Sequence, residues 1–210
     1  MTKNLLLWGY PIQSVAEIEP QGIPIESSGV IGISEQFNPK KTHPDFDYPW
    51  AVTYTPGPMP PMPNKVYVCI KKLKAVNFDF IPYGDFLLIS ESLLSFLEEQ
   101  GFDYTFDRSQ AEIVNTKGQT LTEEKFYLLR KDDQLIQEEV EWLEGDVSLG
   151  EYSQVITHSD KGVFLSDEDG YESCLLVDEN LKETLEQRFR AVFLYTVADW
   201  NSLNDDGWDF

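Results

Sequence analysis

The 210-residue chain is 41% hydrophobic and 13% aromatic, enough apolar material to bury a core and to exclude disorder throughout. Its 37 acidic against 16 basic side chains give a formal net charge of −21, the wrong sign for phosphate backbones or anionic lipid headgroups. Direct binding to nucleic acid or membrane is thereby disfavoured and a basic protein partner favoured, although solubility alone accounts for many acidic surfaces.

The apolar run from Leu5 to Trp8 stops at Gly9 and Pro11, too short for a signal-peptide core or a membrane span, and no later stretch approaches spanning length. A cytoplasmic location is expected. Cys69 and Cys174 make one pair at most, and their apolar neighbours Val68, Ile70 and Leu175 predict reduced thiols buried in strands.

Charge is unevenly placed. Residues 1–74 hold 7 basic and 6 acidic groups, net +1, whereas residues 75–210 hold 9 basic and 31 acidic groups, net −22. Solubility needs net charge but not its segregation, which points to a binding surface.

In chain order, residues 29–34 read as a short strand and residues 44–50 as aromatic and turn-rich. Residues 54–64 carry Pro56, Pro58, Pro60, Pro61 and Pro63, which cannot feed a regular ladder or a helix. The segment is an extended connector, either a flexible linker or a polyproline stretch packed by its Met and Tyr side chains; its apolar content favours the packed form. Residues 65–70 form a β-rich run, and residues 85–89 a buried strand. Ser90 then caps a helix over residues 91–100 with Leu93, Leu94, Phe96 and Leu97 on one face, and Gly101 ends it. Phe102, Tyr104 and Phe106 alternate with polar residues as a half-buried strand does.

Leu175, Leu176, Val177, Asp178, Glu179, Asn180 and Leu181 echo Leu87, Leu88, Ile89, Ser90, Glu91, Ser92 and Leu93 at a constant offset. The echo predicts a duplicated strand-helix-strand unit, residues 85–106 and 173–197, with residues 192–195 as the second closing strand; convergence on a common strand-cap-helix signal is the alternative. Between the copies, residues 125–130, 152–157 and 163–165 read as strands, the last two joined by a turn at Asp160, Lys161 and Gly162. The acid-rich residues 132–146 fit a helix or an edge strand, and the tail from Trp200 to Phe210 is expected to fray.

Catalytic constellations are scarce. His43 and His158, the only histidines, lack companions at metal-ligand spacing, and no phosphate-binding glycine loop or Gly-x-Ser-x-Gly elbow occurs. Asp167, Glu168, Asp169 and Gly170 resemble part of a calcium loop, but with Gly170 sixth the first and last ligand positions would be Leu165 and Leu176, so a turn is the better reading. A carboxylate pair of the glycosidase kind needs only to meet in space, and nothing singles one out. No metal or cofactor is expected.

The acids fit recognition better. Asp132, Asp133, Glu138, Glu139, Glu141, Glu144 and Asp146 around Trp142, with Asp167, Glu168 and Asp169, predict a negative rim about aromatic anchors such as Trp142 and Tyr127. The plainer alternative places Trp142 and Leu143 in the core with ordinary solvated acids beside them.

The Leu-Leu-Ile-Ser-Glu-Ser-Leu of residues 87–93 and its echo Leu-Leu-Val-Asp-Glu-Asn-Leu at 175–181 resemble a group of bacterial immunity proteins from polymorphic-toxin and contact-dependent inhibition systems. The resemblance spans residues 65–197. It implies an α+β antidote without enzymatic activity or cofactor that binds a cognate, often nuclease-type, toxin domain and occludes it. It carries over no site residue, because the matching residues read as core and cap.

The expected fold is therefore α+β, with mostly antiparallel mixed sheets and a few amphipathic helices. Residues 1–64 would pack as a Pro/Gly/aromatic-rich segment on an acidic domain of residues 65–210. Two other function classes fit the same charge: a phosphate-mimicking or scaffold protein for another basic client, such as a nucleic-acid enzyme of the host cell, and a hydrolase using carboxylates.

Overall fold

The computed structural model describes residues 2–10, 31–38, 50, 60–71, 73–83, 86–103, 107–130, 139–145, 152–166, 168, 171 and 174–205. By Cα proximity the chain divides into two units, one of residues 1–12, 95–104 and 133–210, the other of residues 13–94 and 105–132. Each holds one six-stranded sheet, and strands outweigh helices among the described residues, a mostly β form of the α+β expectation.

In the first unit the strands are β1 (Lys3–Trp8), β8 (Val140–Glu144), β9 (Tyr152–Thr157), β10 (Val163–Leu165), β11 (Leu175–Asp178) and β12 (Leu194–Tyr195). Their order is β10-β11-β1-β9-β8, with β12 also on β1, and every pairing is antiparallel. β1 is the hub: Leu5 to Trp8 face Asp178 to Leu175 of β11, while Lys3 and Asn4 meet β9 and Leu7 and Trp8 meet β12. Leu5, Leu6, Leu7 and Trp8 are buried on both faces, which is why this strand reads as a continuous apolar run without alternation. Leu5, Leu7, Val155, Phe164, Cys174, Leu176, Val197 and Trp200 form one core cluster.

The second unit builds its sheet from β2 (Ile31–Ser34), β3 (Lys65–Ile70), β4 (Phe80–Tyr83), β5 (Phe86–Ser90), β6 (Asp107–Val114) and β7 (Phe126–Arg130), in the order β2-β3-β6-β7-β5-β4. Only β3 and β6 run parallel. Phe78 and Phe126 meet edge-on at 5.6 Å in its core. Arg130 is buried there, donating through Nη1 to the carbonyls of Trp50 at 2.7 Å and Pro60 at 2.8 Å, and through Nη2 to Asp107. Of the proline-rich connector, residues 54–59 lie outside the described residues; at its end the Ser109 hydroxyl donates to the Pro63 carbonyl.

Three α-helices are described: α1 (Glu91–Glu99), α2 (Lys182–Arg188) and α3 (Val197–Asp205). Ser90 caps α1 as expected, its Oγ accepting from the Leu93 N–H at 3.3 Å. At the other end Gly101 has φ +90°, its N–H bonds the Glu98 carbonyl, and the Phe102 N–H bonds the Leu97 carbonyl. This double closure with Phe102 buried against Leu97 is a Schellman cap. Of the strand expected over Phe102, Tyr104 and Phe106, Phe102 serves the cap instead, Tyr104 and Phe106 lie outside the described residues, and the next described strand is β6, where Ser109, Ala111 and Ile113 are buried in alternation.

Asp178 caps the second helical segment, a 3-10 turn (Glu179–Leu181) running into α2, by accepting from the Asn180 N–H at 2.9 Å. Strand, cap and helix thus recur in order at the two echoing segments, as the common strand-cap-helix signal does, but β6 begins beyond the expected 85–106 and no duplicated unit follows from this. The second closing strand is the two-residue β12, shorter than expected.

Two further expectations are corrected. Residues 152–157 and 163–165 are strands, but Asp160, Lys161 and Gly162 do not close a hairpin, because β11 and β1 stand between β9 and β10. The tail does not fray from Trp200: α3 packs on β1 and β9, and Trp200 is buried in the core cluster. Residues 206–210 lie outside the described residues.

Candidate partner-binding surface

Of the acid-rich segment 132–146, residues 140–144 form the strand β8, while 132–138 and 146 lie outside the described residues. Among the described residues β8 is the last strand in the order of the first sheet, paired to β9 with Glu141 opposite Ile156 and Trp142 opposite Val155, and the register slips between Leu143 and Glu144. Alternation sends Val140 and Trp142 onto the core cluster and Glu141 and Leu143 to the opposite face.

Trp142 is half-buried and stacks on two tyrosines. Its ring centroid lies 4.6 Å from Tyr171 and 5.2 Å from Tyr152, and the two tyrosines are 6.2 Å apart. Hydrogen bonds lock this trio from behind: the Tyr171 hydroxyl donates to Asn201 Oδ1 at 2.6 Å, and Asn201 Nδ2 donates to the Tyr152 carbonyl at 2.9 Å. The Tyr152 hydroxyl donates to Glu168 Oε1 at 2.6 Å. That bond, with desolvation and the nearby charges of Glu168 and Glu144, pushes the Tyr152 phenol up to about 12.

The structure therefore assembles Trp142, Glu144 and Glu168 around one aromatic platform, with Glu141 on the other face of the same strand. Glu139 is engaged elsewhere, 3.2 Å from Lys161 Nζ, which also holds Asp103 at 2.9 Å. Asp132, Asp133, Glu138, Asp146, Asp167 and Asp169 lie outside the described residues. Tyr127 belongs to the second sheet, where its hydroxyl donates to Glu91 at 3.0 Å and the Arg108 guanidinium lies over its ring. Tyr152, Tyr171 and Asn201 were not singled out in the sequence. Tyr152 carried a faint signal as the first residue of an alternating strand, whereas Tyr171 and Asn201 carried none.

Both units hold ion pairs; in the first, Lys3 meets Asp178, Lys161 meets Asp103 and Glu139, and Lys182 meets Glu186. In the second, Glu91 pairs with Lys125, Glu112 with Lys65 and Asp107 with Arg130. In the first, among the described residues, no lysine or arginine pairs with Glu141, Glu144 or Glu168. Composition differs between the units: residues of the first unit carry 23 acidic and 5 basic side chains, net −18, and those of the second 14 and 11, net −3, together the −21 of the chain.

Among the described residues no three His, Cys, Asp or Glu side chains gather as a metal site, and no helix is long and apolar enough to cross a membrane. Cys69 and Cys174 are both buried, and burial pushes the Cys69 thiol up.

No curated protein matches the chain. The family model described as Immunity protein 43 matches residues 15–206. That match spans most of the 210 residues, and the chain belongs to the Immunity protein 43 family of bacterial immunity proteins.

Proposed function

We propose that this protein is a cytoplasmic antidote that neutralises a cognate toxin domain, that the toxin presents a basic, nuclease-type surface, and that inhibition is occlusion by complementary charge. Family membership supports the toxin-neutralising role. The observation carrying the electrostatic part is the segregation of charge, net −18 in one structural unit against −3 in the other. A field concentrated on one unit orients a cationic partner before contact and raises its association rate. The carboxylates of a compact acidic sheet also present to a nuclease the charge that its substrate phosphates would supply. Binding requires no cofactor.

Co-expression with the product of the adjacent upstream gene tests the reading. Growth rescue together with co-purification is expected, and the association rate is expected to fall more than about tenfold between low and 0.5 M salt. A neighbour that is neither toxic nor bound would end the proposal. Recovery of a host nuclease or polymerase instead would favour the phosphate-mimicking alternative.

A further inference from the structure

We propose, resting on the toxin-neutralising reading above, that the toxin docks through a cationic, Arg- or Lys-bearing surface on the strand β8, with Trp142 as the central anchor, Glu144 and Glu168 as charge partners beside it and Glu141 as a further one on the strand's opposite face. Trp142 and Tyr152 are only half-buried, although each packs on the core cluster. Half-exposed aromatic faces are what tight protein interfaces use at their centres, and they also attract guanidinium and ammonium groups.

The platform is held in place before any partner arrives. Tyr171 is tied to Asn201, Asn201 to the Tyr152 backbone and the Tyr152 hydroxyl to Glu168, so little side-chain freedom is left to lose on binding. Among the described residues Glu141, Glu144 and Glu168 carry no ion pair of their own, as is also true of exposed acids such as Glu98, Glu99 and Glu183, whereas Glu139, Glu91, Glu112 and Asp107 have lysine or arginine partners. A cation from outside supplies what the sheet does not, and the net −18 of this unit steers it there. Among the described residues β8 ends the strand order, beside the same anchors.

The test uses the full chain and a catalytically inactivated form of the toxin encoded beside it. Glu141→Lys with Glu144→Lys, both exposed, is expected to weaken binding at least about 100-fold. The matched pair Glu183→Lys with Glu186→Lys on α2 changes charge equally in the same unit and is expected to weaken it less than about threefold. Hydrogen exchange on the wild-type complex is expected to slow at residues 139–145 and to stay unchanged at 179–188. Equal losses for the two pairs, or no protection at β8, would overturn this surface while leaving toxin binding intact. A wild-type chain that does not bind the toxin would overturn both proposals together.

Discussion

The Tyr152 hydroxyl reaches Glu168 across 2.6 Å, joining the first residue of β9 to a carboxylate sixteen positions later. The phenol titrates near 12 because that carboxylate accepts its proton's hydrogen bond. Its folded value lies above the ordinary 10, so the bond's contribution is complete below pH 10 and is lost as pH rises towards 12. Glu168→Gln is expected to return Tyr152 towards 10, read by 13C-tyrosine NMR titration. An unmoved resonance would mean that the bond does not form in solution.

Gly9 stands where no side chain fits. A Cβ there would come within 2.5 Å of the Trp200 ring and 3.0 Å of Cys174 Sγ, and all three are packed against β1 and its core. Gly9→Ala is expected to destabilise by about 1–3 kcal/mol through forced displacement of Trp200. Urea unfolding followed by tryptophan emission measures this, and a midpoint matching wild type would contradict the packing.

Arg130 and Asp107 form an asymmetric pair. The guanidinium side chain is 3% exposed and also serves two backbone carbonyls, whereas the carboxylate is 54% exposed. Arg130→Met, which strands those carbonyls, is expected to cost about 3 kcal/mol. Asp107→Asn is expected to cost less than about 1 kcal/mol, because water already screens that partner. Equilibrium unfolding of the two variants checks the ratio, and comparable losses would refute it.

Glu112 is held below the ordinary carboxylate value chiefly by the hydrogen bond from Lys65, with a second from Thr120. A depressed folded value stabilises above the unfolded value of about 4.5 and ceases to do so as pH falls through the folded one. The stability gap between wild type and Glu112→Gln is therefore expected to be under about 1 kcal/mol at pH 7 and to shrink as pH falls below about 4.5. Urea midpoints across that range provide the check; a gap that widens on acidification has the wrong sign.

Local chemistry was the legible part of this chain. Ser90 and Gly101 announced both ends of α1, and the alternation or apolar density of residues 65–70, 125–130, 152–157 and 163–165 located strands to within a residue or so. Pairing was not legible. Nothing in Leu5 to Trp8 distinguishes a hub strand from any short apolar run, because its partners lie at residues 156–157, 175–178 and 194–195. The turn residues Asp160 and Gly162 suggested a hairpin for the same reason: turn propensity reports a local bend but not which strands lie between its arms. At the candidate surface, the acidic run identified Trp142 and Glu144, while Tyr171 and Asn201 join them only through tertiary contact.

The position of β1 also has a consequence for how the molecule is made. The second sheet draws every strand from residues 31–130, whereas β1 cannot complete its pairing until Tyr195 has left the ribosome. Leu5 to Trp8 thus wait as a sticky apolar strand until residues 156–195 have been made, exposed to chaperones and to misassembly. Nascent chains that stop short of Tyr195 lack the finished acidic sheet, and toxin neutralisation is expected only from chains that extend past it.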